Sequence, residues 1–240
     1  TILSFVNPGV HFTVQPAKAE ADDGGPLQAV GYPGSGRLLS QVEKDHPAYQ
    51  YLVSRRFDPE KLAREFGVGL VDTDTEANLV GRIIVPIHMH GQMVGWQGRY
   101  PGDIDWKGTG IRKYWNLPHM KKSRMLYGYD QARAFPYCIV VEGVTDVWRV
   151  GPPAVCILGN SLNFAQRRLI CTTWQTVFVM LDPDAMEKSR IAVHELKNHL
   201  REAGGQVVEI TLPGGKDPAD FDARDLQWII ADASEKAGVT

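Results

Sequence analysis

The sequence predicts an α/β protein, in which a parallel sheet flanked by helices follows a smaller part of mixed α/β structure. Two observations carry this prediction. After residue 136, apolar runs of strand length alternate with helical patterns, and unbroken apolar strands are typical of a parallel sheet covered on both faces. Earlier in the chain, helical spacing gives way to the alternating pattern of a β-hairpin.

The chain divides into three predicted segments. Residues 16–40 are rich in Pro, Gly, Ala and Asp, a composition typical of a linker or a poorly ordered loop. We therefore predict an N-terminal extension over residues 1–40, a basic subdomain over residues 41–135 and a second α/β subdomain over residues 136–240.

The first predicted elements are two helices and a hairpin. Helical spacing from His46 to Phe66 is broken at Asp58-Pro59, which predicts two short helices. Residues 82–99 have the pattern of a β-hairpin with a tight turn. His88 and His90 lie at the tip of that hairpin with no third ligand nearby in sequence, so a polar turn is favoured over a metal site.

The second subdomain is predicted to contain four strands, each bounded by turn residues or a helix. The apolar runs that predict them are 137–141, 154–158, 177–181 and 206–210. Apolar residues at helical spacing between Met186 and Ala203 predict a longer helix that ends at Gly204-Gly205.

Composition excludes several classes of protein. With 43% hydrophobic and 22% charged residues in 240, the chain is not disordered throughout. No apolar stretch approaches the roughly 18 to 20 residues of a membrane span, and no signal peptide is recognisable, so a soluble, cytoplasmic protein is expected. The 3 cysteines form no CxxC pair, which argues against a disulfide scaffold or a zinc ribbon.

The formal net charge of -2 hides a basic middle segment. Residues 99–133 carry 8 basic and 3 acidic side chains, whereas residues 134–240 carry 10 basic and 14 acidic ones. Aromatic residues are interleaved with the basic ones, a composition suited to stacking single-stranded bases over a basic groove. The alternative is a solvated charged face with aromatic residues in the core.

Carboxylates follow three of the four predicted strands. Glu142 follows the first strand, Asp182 and Asp184 follow the third, and Asp217 lies in the loop after the fourth. The carboxyl ends of parallel strands share one edge, where these acids would repel one another unless a cation neutralised them. Oxygen ligands alone favour Mg²⁺ or Mn²⁺. The alternative is a solvated turn in which Asp184 caps the next helix.

Short motifs follow one another in a fixed order along the chain. After residue 136 they are Val141-Glu142-Gly143-Val144-Thr145-Asp146, Leu158-Gly159-Asn160-Ser161-Leu162, Leu181-Asp182-Pro183-Asp184 and Leu212-Pro213-Gly214-Gly215-Lys216-Asp217-Pro218. Together these motifs resemble the Toprim domain in the catalytic core of bacterial-type (DnaG-like) DNA primases. Upstream, residues 81–87, 95–99, 113–118 and 124–128 are similar to the basic segment that precedes Toprim in that family. The resemblance covers about two-thirds of the chain, and the compactness of the chain suggests a phage or plasmid source.

The resemblance implies a role for each group of charged residues. Glu142, Asp182 and Asp184 would be catalytic and hold two divalent ions, Mg²⁺ or Mn²⁺, with Asp146 and Asp217 as additional ligands. The position two after Asp217, often acidic in the family, is Ala219, with Asp220 beside it. The residues implied to bind nucleotide or template are Arg82, Arg99, Lys113, Lys122 and Arg124.

The implied activity is the synthesis of short RNA primers on single-stranded DNA from NTPs, with a replicative helicase as partner. No GxxxxGK[ST] phosphate loop occurs in the chain, so a helicase module is not predicted here. Two alternatives stay open: a Toprim-type nuclease or topoisomerase-like enzyme, and a non-catalytic nucleic-acid-binding module of the replisome.

Overall fold

A computed structural model of the protein describes residues 25–73, 78–102, 106–159, 162–181 and 187–239. The chain is an α/β protein built on two sheets. The first sheet has the order β1-β2-β3-β4-β5 and contains Gly36–Leu38 (β1), Gly69–Val71 (β2), Ile83–Met89 (β3), Gln92–Arg99 (β4) and Tyr114–Asn116 (β5). All of its neighbouring strands are antiparallel.

The second sheet is parallel throughout and confirms the predicted fold class. Its order is β7-β6-β8-β9, with strands Tyr137–Val141 (β6), Ala154–Cys156 (β7), Thr176–Val179 (β8) and Gln206–Glu209 (β9). All four strands predicted after residue 136 are present. Strand β6 is central, with β7 on one side and β8 on the other.

The longest helices lie toward the C-terminal end of the chain. The helices are Pro47–Ser54 (α1), Pro59–Phe66 (α2), Trp106–Thr109 (α3), Tyr129–Ala132 (α4), Val144–Val150 (α5), Phe164–Thr173 (α6), Glu187–Glu202 (α7) and Ala223–Lys236 (α8). Three-residue 3₁₀ turns lie at Leu39–Gln41, Lys122–Arg124, Pro213–Gly215 and Pro218–Asp220. Among the described residues, no helix has the length and apolar character needed to cross a bilayer.

Local sequence explains the boundaries of α2, one of the two predicted short helices. The Asp58 carboxylate accepts hydrogen bonds from the backbone N–H groups of Glu60 and Lys61, and Pro59 occupies the first helical position. Gly67 ends the helix in the left-handed region with φ of 66°, which glycine adopts without steric cost. The break at Asp58-Pro59 is therefore a helix start, as the sequence predicts.

The predicted hairpin is present as β3 and β4, and its turn is hydrogen-bonded to a residue of α4. His90 and Gly91 both have positive φ, as a tight hairpin turn requires. Their backbone N–H groups donate to the carboxylate of Asp130, at 2.6 and 2.8 Å. The turn is thus held against α4.

The prediction of a linker up to residue 40 is wrong for its last residues. Gly36–Leu38 pairs with β2, and Leu39 is fully buried. The Tyr32 hydroxyl donates to the carbonyl of Ile84 at 3.5 Å, and burial raises the pKa of that phenol. Strand β1 and Leu39 take their places because they pack on the rest of the first sheet. The Gly- and Pro-rich sequence around them contains no local pattern that predicts this pairing.

One hydrophobic core joins the two parts of the chain. Tyr127 and Cys156 form a β-bridge between the segment before β6 and strand β7. The Trp148 indole N–H donates to the Tyr127 hydroxyl at 2.7 Å, and Phe66 of α2 stacks on the Tyr127 ring. Cys138 and Cys156 are buried free thiols in the same core, as expected of small apolar residues.

Arg149 fastens α5 to the first half of the chain. Its guanidinium donates to the carbonyls of Arg55 and Arg56, at 2.8 and 3.0 Å, and lies 4.4 Å from the ring centroid of Phe57. The side chain is buried, so removing it would leave these carbonyls without their donor and a gap beside the ring.

We expect Arg149→Met to lower the free energy of unfolding by about 2 kcal/mol, because two buried charge-assisted hydrogen bonds are lost. Urea denaturation monitored by tryptophan fluorescence measures this change. Arg168→Met, which removes the same charge from an exposed position on α6, is the control and should change stability little. Equal stability of the Arg149 variant and the wild type would contradict the structural role.

Candidate metal and nucleic-acid site

Glu142 lies at the carboxyl end of the central strand of the parallel sheet. It follows Val141, the last residue of β6, and is half-buried. Ligands collect at this edge of open parallel sheets. The strand β8 ends beside it at Val179, and the two acids predicted after β8, Asp182 and Asp184, lie outside the described residues.

Asp146 is buried in the first turn of α5 and connects two loops of this edge. One of its carboxylate oxygens accepts from the Gly143 N–H at 2.8 Å, and the other accepts from the Ala219 N–H at 3.2 Å. Burial raises the pKa of the Asp146 carboxyl to about 6, the backbone hydrogen bonds oppose that rise, and the charges of Asp217 and Glu142 add to it. The charges of Asp217 and Glu142 are therefore close enough to act on the Asp146 carboxylate.

Asp217 is the exposed member of the group. It precedes the 3₁₀ turn Pro218–Asp220 in the segment after β9. Ala219 is buried there and its N–H is held by Asp146, whereas Asp220 is exposed. Ala219 occupies the position that is often acidic in the primase family that the motifs resemble. Its small side chain is buried where the turn packs against α5.

The described acids do not by themselves form a complete metal cage. Within the part of the chain that the structure describes, which omits residues 182–186, no three His, Cys, Asp or Glu side chains are arranged to hold an ion. The repulsion of Asp146 by Glu142 and Asp217 is nevertheless what a divalent cation would relieve. The donor set fits a hard, oxygen-binding ion.

Two of the predicted basic residues, Arg82 and Arg99, are buried in the first sheet. Arg82 donates to the carbonyls of Asn78 at 2.5 Å and Arg112 at 2.9 Å, and burial lowers its pKa to about 10. Arg99 donates to the hydroxyls of Tyr51 and Tyr114, the first at 2.8 Å. Within the described ranges neither guanidinium forms a salt bridge, so both positive charges lack a carboxylate partner there.

The other three basic residues are more accessible. Lys113 is exposed beside β5, and Lys122 and Arg124 are partly buried in the 3₁₀ turn Lys122–Arg124. Burial lowers the pKa of the Lys122 ammonium group. The Arg124 guanidinium donates to the carbonyl of Gly25, in the segment predicted as a linker.

Sequence reasoning missed Gln166, which connects this 3₁₀ turn to the parallel sheet. The side chain is 1% exposed, and its amide donates to the carbonyls of Lys122, Met125 and Ile157. The pattern Asn163-Phe164-Ala165-Gln166 is that of a capping box, which predicts the start of α6 but not the contacts across 41 and 44 positions of the chain.

Comparison with known proteins shows the fold. No protein-family model matches the chain, and no curated protein matches it in sequence. A solved structure of the DnaG primase catalytic domain bound to single-stranded DNA is 24% identical, with a TM-score of 0.64 over 82% of this chain and 73% of that chain.

Two further solved structures give the same result. The Aquifex aeolicus primase, with its zinc-binding and RNA polymerase domains, is 23% identical, with a TM-score of 0.60 over 81% of this chain and 62% of that one. The RNA polymerase domain of Mycobacterium tuberculosis primase DnaG, in complex with a double-stranded DNA oligomer with a 6-nucleotide overhang, is 24% identical, with a TM-score of 0.63 over 80% and 74%. The chain has the α/β fold of DnaG catalytic cores.

Proposed function

We propose that this chain is the catalytic core of a DNA primase, which synthesises short RNA primers on single-stranded DNA by two-metal nucleotidyl transfer. The observation that carries the proposal is the group of Glu142, Asp146 and Asp217 at the carboxyl edge of a parallel sheet, where the first and third carboxylates act on the buried second one. This group occurs in a fold shared with DnaG catalytic cores. NTPs, a single-stranded template and a replicative helicase are the proposed partners.

We propose that Glu142, Asp182 and Asp184 hold Mg²⁺ or Mn²⁺ ions, with Asp217 as an additional ligand. When bound, such ions activate the primer 3′-hydroxyl and stabilise negative charge on the reacting phosphates. Both oxygens of Asp146 already accept backbone N–H groups, so its proposed contribution is chiefly to hold the Glu142 and Asp217 segments together and to add negative charge.

The basic residues are proposed to bind the phosphates of nucleotide and template in two ways. Lys113, Lys122 and Arg124 have the accessibility needed for direct contact. Arg82 and Arg99 donate to groups inside the protein, and their buried charges are proposed to add positive potential that attracts a polyanion. The domain division near residue 135 would then separate a basic subdomain from an acidic Toprim-type one.

The test is primer synthesis on single-stranded DNA with labelled ribonucleotides and Mg²⁺, with wild type compared with Asp182→Ala. Incorporation that depends on Mg²⁺, on template and on Asp182 is the expected result. Equal incorporation by the two proteins would contradict the assigned mechanism. Metal-dependent cleavage of DNA without nucleotides would instead favour a nuclease or topoisomerase-like enzyme, and absence of Mn²⁺ binding would favour a non-catalytic module.

A further inference from the structure

We propose that Gln166 is a positioning residue, which holds the 3₁₀ turn Lys122–Arg124 beside the carboxyl edge of the parallel sheet so that its two cations meet phosphate groups there. The inference rests on the proposed function for the identity of the ligand. It concerns a neutral side chain that lies outside the acidic and basic motifs of the sequence.

The amide nitrogen of Gln166 makes its contacts outside its own helix. Its two N–H donors are shared among three carbonyls, those of Ile157 at 2.7 Å, Met125 at 2.9 Å and Lys122 at 3.1 Å from the nitrogen. Its amide oxygen accepts from the N–H of Asn163 and so caps α6. The cap needs only the oxygen, so the three contacts of the nitrogen serve the turn and the sheet.

Strand register places this anchor at the level of Glu142. Val141 of β6 pairs with Cys156 of β7, so the next residues along the two strands are Glu142 and Ile157. Gln166 donates to the carbonyl of Ile157 and, from the same nitrogen, to the carbonyls of Lys122 and Met125, which are the first residue of the 3₁₀ turn Lys122–Arg124 (the basic turn) and the residue directly after it. Gln166 therefore connects the backbone of Lys122 and Met125 to Ile157, which lies at the level of Glu142 in the sheet.

The basic turn depends on such an anchor because it is short. A 3₁₀ turn of three residues has few hydrogen bonds of its own, and here the Lys122 carbonyl also accepts the Met125 N–H at 3.2 Å. Lys122 and Arg124 have long side chains, whose reach is set by where their backbone is held. Loss of the Gln166 amide would therefore move both cations relative to Glu142.

The ligand chemistry is a phosphate group, from either an NTP or the template backbone. The variant Gln166→Met keeps the length of the side chain but has no hydrogen-bond donor. We expect it to raise the KM for NTP or the dissociation constant for single-stranded DNA about fivefold. Two measurements distinguish the sources: the KM for NTP in primer synthesis, and the dissociation constant for fluorescent single-stranded DNA. A rise confined to one of them identifies the phosphate that the turn contacts.

A double-mutant cycle separates positioning from general damage to the fold. In a Lys122→Gln/Arg124→Gln background the further change Gln166→Met should have almost no effect on KM or on DNA binding, because the cations it positions are gone. Gln131→Met is the matched control, since the Gln131 amide donates to the carbonyl of Glu65 at 2.9 Å. It should leave both constants at their wild-type values.

Two results would overturn the proposal: an equal effect of Gln166→Met in both backgrounds, or an effect no larger than that of Gln131→Met. If Gln166→Met does not fold, as judged by its thermal melt, Gln166→Asn replaces it, because a shorter amide keeps its polarity and loses its reach. The DNA-binding arm needs no catalysis. Absence of primer synthesis by the wild type would therefore count against the proposed function alone, while the cycle still decides the role of Gln166.

Discussion

Glu142→Gln is expected to lower nucleotide incorporation about 1000-fold, which corresponds to about 4 kcal/mol of lost transition-state stabilisation. The amide has nearly the shape of the carboxylate but no charge, so it is a poor ligand for a divalent ion. Glu142 follows the central strand of the parallel sheet, and Asp146 is close enough to be affected by its charge. Its loss removes a central member of the proposed metal site.

The metal-binding arm of this experiment is independent of activity. Mn²⁺ titration followed by electron paramagnetic resonance should show weaker binding by Glu142→Gln, while affinity for single-stranded DNA stays close to that of the wild type. Glu209→Gln is the control: it makes the same change at the last residue of β9, where an exposed carboxylate pairs with Lys197 at 3.6 Å. Unchanged incorporation and Mn²⁺ binding in Glu142→Gln would refute the proposed site.

The fold was more predictable from the sequence than the site was. Buried parallel strands are apolar along their whole length, so the run Tyr137 to Val141 was sufficient to place β6. Strand β5, with only Tyr114–Asn116, and strand β1, with Gly36–Leu38, escaped prediction. Strands of three residues carry too short a pattern, and their pairing with distant partners decides their structure.

The basic residues show a second limit of sequence reasoning. A motif places an arginine in the sequence but does not say whether its donors face solvent or backbone. Arg99 lies between two tyrosines and Arg82 among carbonyls, whereas Lys113 is exposed. The same limit applies to Asp146, whose partner Ala219 is 73 positions away. Contacts at such separations depend on the assembled fold.

Removing the two charges of the basic turn is expected to weaken binding of single-stranded DNA. For Lys122→Gln/Arg124→Gln we expect a loss of roughly 30-fold in affinity, from about 1 kcal/mol for each charge. The slope of log K against log salt concentration should become less steep by about 1.4, because two phosphate contacts are lost and each contributes about 0.7 on a single strand. Fluorescence anisotropy over a series of salt concentrations measures both quantities.

The control variant removes two charges from the opposite edge of the parallel sheet. Arg201 lies near the end of α7, next to Leu200, whose carbonyl accepts the N–H of Gly205 just before β9. Lys236 ends α8, next to Ala237, whose carbonyl accepts from the side chain of Gln206, the first residue of β9. Arg201→Gln/Lys236→Gln has the same net charge as the test variant, so long-range attraction to DNA changes equally in both. If the salt dependence of binding changes more in the test variant than in the control, Lys122 and Arg124 contact phosphate directly. Equal slopes in the two variants would show instead that the turn contributes only to the overall field of the protein.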